Sequence, residues 1–206
     1  MDTQQESYQT KKEEKQEKRE VERRAMQRQR LLRKLVIGGG IVAGIAVLVY
    51  GLYLLSFVGA PKGEDLSRVI SIMGEEHIGL GDSLPEYNSN PPTSGPHYEQ
   101  TARSGFRDEQ ITDQYIIHNL EHGDIWISYH PRIADEIKEE LKQFAGAKVI
   151  ITPRETNGTD IALAAWGRLD VFNIENNALP VDRIKEFINR YTNRGPEKVP
   201  GASGGL

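Results

Sequence analysis

The sequence predicts an α+β domain with a mostly antiparallel sheet and two packed helices, set behind one N-terminal transmembrane helix. Three observations lead there. An uncharged apolar run fills residues 35–58. Strand-like and helix-like apolar periods then follow over residues 111–194 in the order strand, strand, helix, strand, strand, helix. The chain has no cysteine, so the domain must rest on an apolar core without disulfides.

Residues 1–34 come first and are dense in Lys, Arg, Glu and Gln. Such a segment buries no core and reads as disordered or as a solvated helix. Its i, i+4 pairs are mixed: Glu20 with Arg24 attracts, whereas Glu13 with Glu17 and Lys15 with Arg19 repel. The acidic residues cancel most of the positive field, which argues against a nucleic-acid partner. The basic cluster has a plainer use as a topology signal.

The run Leu35–Val58 covers about 36 Å as a helix, enough for a hydrocarbon core of about 30 Å. A signal peptide would have a shorter apolar region nearer the N-terminus, so an uncleaved anchor is expected in spite of the small residues near Gly59 and Ala60. Arg23, Arg24, Arg28, Arg30, Arg33 and Lys34 crowd its N-terminal flank, whereas Lys62 and Arg68 beyond it are offset by Glu64 and Asp65. Positive charge stays inside, so a single-pass protein of the cell membrane is expected, with a cytoplasmic N-terminus and an extracytoplasmic C-terminal domain. The bilayer is then its first partner. Gly40 and Gly44 have the spacing that lets two spans approach, which offers a homodimer through this helix.

Residues 59–110 are rich in Gly, Pro, Asn, Ser and Asp and read as a loop-rich entry to the external domain. Within 111–194, Gln114–His118 and Asp124–Tyr129 read as strands joined by a turn at Glu121-His122-Gly123. Ile133, Ile137, Leu141 and Phe144 recur at helical spacing, with Gly146 as C-terminal cap. Lys148–Thr152 and Ile161–Arg168 read as strands paired through an Asn157-Gly158 hairpin turn. Val181, Ile184, Phe187, Ile188 and Tyr191 mark the last helix, and residues 195–206 read as a disordered tail.

The chemical signal is histidine. Of five in the chain, four fall between His77 and His122. His118-Asn119-Leu120-Glu121-His122 sets two imidazoles four residues apart, with a carboxylate between them, on one face of a helix or converging in a turn. These are ligand types for zinc or copper(II). His97 ends the Pro- and Gly-rich stretch Asn90–His97, whose irregular backbone can aim one side chain. The leading expectation is a metal held by His97, His118 and His122, with His77 or Glu121 completing the shell. Met73, four residues before His77, would favour copper(I) if that segment were helical. Two further readings stay open: a cell-envelope interaction module with structural histidines, and a hydrolase using Ser94 with a nearby histidine and Glu121. Three imidazoles converging within about 4–5 Å would favour the metal. His130, beside Pro131, reads as an ordinary strand-end residue.

At these motifs the chain resembles a known family. Tyr87-Asn88-Ser89-Asn90-Pro91-Pro92-Thr93-Ser94-Gly95-Pro96-His97-Tyr98 and His118-Asn119-Leu120-Glu121-His122-Gly123 look like the bacterial family catalogued as domain of unknown function 3105, over roughly Gly63 to Tyr191. That resemblance implies a membrane-anchored or exported protein. It also implies that His77, His97, His118, Glu121 and His122 form one site. It implies no activity.

Overall fold

The computed structural model describes residues 2–56, 63–199 and 201. The chain divides into two compact units, residues 1–58 and 59–206. The first is one α-helix, α1 (Asp2–Ser56). Among the described residues it is the one helix long and apolar enough to cross a membrane, and its apolar stretch is wholly unburied. Phe57 and Val58, the last residues of the expected span, lie outside the described residues, as do residues 200 and 202–206 of the expected tail.

The second unit is α+β. Its main sheet has six strands: β1 (Arg68–Val69), β4 (Gly105–Phe106), β5 (Ile125–Tyr129), β6 (Val149–Pro153), β7 (Ile161–Ala165) and β8 (Arg168–Phe172). Their order is β1-β8-β7-β5-β6-β4. A two-stranded parallel ribbon joins β2 (His77–Ile78) to β3 (His97–Tyr98). Helices α2 (Asp113–Glu121), α3 (Asp135–Leu141) and α4 (Val181–Tyr191) complete the unit, α3 running on into a 3-10 turn over Lys142–Phe144.

The central strands are buried along their whole length, which requires cover on both faces. Alternate residues divide between two cores. Ile125, Ile127, Ile151, Ile161 and Leu163 pack with Ile137, Leu141, Ile184 and Phe187 from α3 and α4. Trp126, Ile150, Ala162, Ala164 and Leu169 pack with Ile116 and Leu120 of α2. The domain is therefore layered, with α2 alone on the face opposite α3 and α4.

Three expectations are corrected. The sheet is mixed: β6 pairs parallel with β5 and with β4, whereas the β5–β7, β7–β8 and β1–β8 pairs are antiparallel. Residues 114–118 are helical, so three helices pack in this unit instead of two. Helix α2 is buried on several sides at once, through Gln114, Ile116, Ile117, His118, Asn119, Leu120 and Glu121. Its adjacent isoleucines thus imitate a strand, because a helix without a solvent face loses its 3.6-residue stripe. Finally, β6 and β7 do not form a hairpin. They flank β5 on opposite sides, and Asn157 lies buried under the crossing, exchanging hydrogen bonds with Ser128 Oγ at 3.0 and 3.2 Å. The hairpin is the tight turn at Trp166-Gly167 between β7 and β8, where Gly167 takes a φ of 65° that glycine adopts without strain.

Candidate metal centre

Helix α2 delivers two of the site residues, and its end is well defined. The Gly123 N–H donates to Leu120 O at 2.9 Å and the Asp124 N–H to Asn119 O at 2.9 Å, with Gly123 at a φ of 77°. This is a Schellman ending, for which a glycine is the natural residue. Asn119, fully buried, locks the helix to the chain before it. Its Oδ1 accepts the Ala102 N–H at 2.8 Å, and its Nδ2 donates to Ala102 O and Asp124 Oδ2, each at 2.9 Å.

The proline-rich loop delivers His97. Residues 91–95 are all buried. The Gly95 N–H donates to Gly74 O at 3.1 Å, the His97 N–H to Glu76 O at 2.9 Å, and Tyr87 Oη to Pro96 O at 2.6 Å. Gly95, at φ 114°, sits so close that an added Cβ would stand 3.1 Å from the Tyr87 ring. Ser94 is committed to the same framework: it is buried and its Oγ accepts the Met73 N–H at 3.0 Å. The loop lays β3 beside β2, where His97 is the register partner of His77.

Loop and helix bring four side chains to one point. The ring centroids of His77, His97 and His118 lie 4.8–5.0 Å from one another. Each ring turns its Nε2 towards Glu121 Oε2, at 3.9 Å from His77, 3.0 Å from His97 and 3.9 Å from His118. One ligand atom from each of the four lies within 4.8 Å of all the others. Side chains of His97, His118 and Glu121 are nearly inaccessible, whereas that of His77 is 45% exposed.

The opposite ring nitrogens fix the protons. His97 Nδ1 faces Gly95 O at 2.8 Å and His118 Nδ1 faces Tyr98 O at 3.0 Å. A carbonyl only accepts, so each Nδ1 carries its hydrogen and each neutral ring turns the Nε2 lone pair inward. Burial, reinforced by the neighbouring histidines, keeps both rings neutral, lowering His118 to about 4 and His97 below its usual value. Burial, then the charge of Glu197, raises the Glu121 carboxyl. Inward lone pairs that meet a carboxylate oxygen call for a positive charge between them, and at the 3.0 Å contact of His97 Nε2 with Glu121 Oε2 that is either a shared proton or a cation. The separations suit one: ligands about 2.0–2.1 Å from a tetrahedral zinc stand about 3.4 Å apart.

His122 falls outside this group. It caps α2, one turn beyond His118, and their ring centroids are 4.5 Å apart. Its Nε2 lies 3.1 Å from Glu197 Oε2. Glu197 was placed by the sequence in a disordered tail. Instead, the Asn193 N–H donates to Gly123 O at 2.8 Å and the Glu197 N–H to Glu121 O at 3.1 Å, which seats the segment on the end of α2. No composition signal marks that docking. Met73 is not on a helix, and its Sδ accepts the Asn88 N–H at 3.2 Å, so the thioether is engaged elsewhere. His130 accepts the Arg132 N–H through its Nδ1 at the end of β5, an ordinary structural role.

Fold and site together define an α+β domain with a mixed sheet that gathers three histidines and a glutamate able to hold a metal ion. The chain belongs to the family described as Protein of unknown function (DUF3105), whose model matches residues 81–203. That span includes His97, His118, Glu121, His122 and Glu197 and begins just after His77. No curated protein and no solved structure matches the chain.

Proposed function

We propose that the protein is a membrane-tethered, extracytoplasmic metal-binding protein whose ion, zinc or copper(II), is held by His77, His97, His118 and Glu121. The observation that carries this reading is the convergence of three Nε2 atoms on one carboxylate oxygen, two of them with Nδ1–H anchored on backbone carbonyls. Such anchoring orients metal-bound imidazoles and raises their basicity. The donor set is nitrogen and oxygen without thiolate, which suits zinc or copper(II). With Met73 Sδ turned to the Asn88 N–H, copper(I) loses its soft ligand. The exposed edge of His77 leaves a side on which ion or water can enter.

The test is metal content. Residues 59–206, purified without affinity tags that bind metal, are expected to retain close to one equivalent of zinc or copper after dialysis. His97→Ala with His118→Ala is expected to retain none. Metal-free protein that takes up neither ion, or a double variant that binds as wild type does, would favour a structural role for these histidines.

The apolar stretch of α1 and its basic flank support the tether and its direction. The natural chain has no cysteine, so single replacements Ser7→Cys and Ser203→Cys give a clean topology assay in intact cells. A membrane-impermeant maleimide is expected to label the second and not the first. The reverse pattern would invert the assigned orientation.

A further inference from the structure

Next to the four-residue centre stands a second ligand group. One ligand atom each from His118, His122 and Glu197 lies within 4.8 Å of the other two. The groups share His118 and differ in exposure: the Glu197 side chain is 54% accessible, that of Glu121 4%. The pair His122–Glu197 does not look like a purely structural ion pair. Among the described residues His122 Nδ1 is buried and without a hydrogen-bond partner, so hydrogen bonds do not hold both nitrogens of this ring and its Nε2 beside Glu197 is the one placed for a ligand. The backbone has invested in bringing Glu197 there, through the bonds from Asn193 to Gly123 and from Glu197 to Glu121. The close seat of Gly195, where an added Cβ would lie 2.0 Å from Glu121 O, serves the same end.

His118 Nδ1 is committed to Tyr98 O. Its Nε2 is therefore the single lone pair it can offer, and one lone pair cannot serve two ions. The two groups are alternatives for one ion.

We propose that His122 and Glu197 form an outer receiving position, from which a divalent cation reaches the buried centre by ligand exchange at His118. This rests on the reading of the centre given above and adds its loading route. The Glu197 carboxylate draws the hydrated cation in, as negative groups at a site mouth do. His118 and His122 take the ion with Glu197. Glu121, His97 and His77 then replace His122 and Glu197 around it while His118 holds on. The exchange balances: Glu121 takes the place of Glu197, His97 that of His122, and His77 displaces one of the waters that the hydrated cation brought with it, so the charge around the ion is unchanged.

A receiving position speeds entry and exit alike and leaves the equilibrium untouched. The test uses the full chain in detergent micelles, stripped of metal, with copper(II) as probe. Trp166, whose ring lies 6.4 Å from that of His97, reports arrival by fluorescence quenching in stopped flow. Release is followed into a competing chelator. In His122→Gln with Glu197→Gln, both rate constants are expected to fall on the order of tenfold, with a stoichiometry of one unchanged and Kd moved only by the few-fold that loss of the nearby Glu197 charge accounts for. Should the double variant fold poorly, Glu197→Gln alone changes an exposed carboxylate, keeps the backbone bond to Glu121 and is expected to slow entry. Unchanged rates would overturn the proposal. So would a weaker Kd arising from faster release, which would put His122 and Glu197 in the resident shell. Wild type that takes up no ion would instead overturn the inner centre, a failure visible before any variant is made.

Discussion

Replacing Glu121 by Gln separates a ligand from a structural acceptor, because the two roles predict opposite signs. In the metal-free protein the carboxylate is buried, and its Oε2 stands 3.0 Å from a His97 Nε2 whose lone pair points at it. Unless a proton is taken up between them acceptor faces acceptor, and burial raises the cost of the charge. A glutamine of the same shape removes that charge and can turn its Nε2–H2 to the imidazole, making a hydrogen bond worth about 1 kcal/mol. Thermal melting in a chelator should therefore rise by about 3–5 °C for a domain of this size. Metal binding should move the other way. Losing a partner beside a ligand typically costs about 10–100-fold in affinity, and losing the ligand itself at least as much. Paired melting curves and zinc titrations of wild type and Glu121→Gln read both effects. A variant that melts lower without metal and binds zinc as tightly as wild type would refute the reasoning and make Glu121 an ordinary buried acceptor.

Other outcomes follow from the same geometry. Without metal, His97 and His118 are held neutral by burial, with folded values below the unfolded 6.5. Their contribution to stability is complete above about pH 6.5 and is lost as pH falls through the folded value, about 4 for His118; for that residue it amounts to on the order of 3 kcal/mol. Denaturant titrations of the metal-free domain between pH 7 and 4 should show this loss, and a flat profile would contradict it. Asn119→Ala removes three buried hydrogen bonds and should lower stability by about 2–4 kcal/mol, measured by urea unfolding. Gly195→Ala sets a Cβ against the Glu121 carbonyl. It should cost about 1–3 kcal/mol and weaken zinc binding together, because the end of α2 must shift. Stability lost with affinity intact would show that the segment packs on α2 without shaping the site.

Much of the candidate site was legible because its residues are concentrated in two motifs whose composition betrays unusual backbone. Prolines and a glycine before His97, and a glycine after His122, mark chain held for a purpose. His77 was harder to place, since its partner across the β2–β3 ribbon is 20 positions away and no local period marks a two-residue strand. Glu197 was not legible: an acidic residue between Pro196 and Lys198 in a Gly- and Pro-rich end reads as solvated tail, and long-range backbone hydrogen bonds with the contact to His122 fix it on α2. The fold divides similarly. Helix α4 keeps one wet face, so Ile184, Phe187 and Tyr191 show the helical period. Strand β5 is buried throughout and was read correctly, but the same continuous burial disguised α2. The parallel pairing of β5 with β6 depends on the long return through α3, and no short-range turn signal encodes it. Asn157-Gly158 supplied a hairpin signal that the burial of Asn157 against Ser128 and Arg154 overrides.

The most direct test of the account is X-ray absorption on the zinc-loaded protein. A first shell of nitrogen and oxygen alone at about 2.0–2.1 Å is expected, with the outer-shell pattern of three imidazoles, falling to two in His77→Ala. A shell of oxygens with no imidazole contribution, or a spectrum unaltered by that substitution, would contradict it.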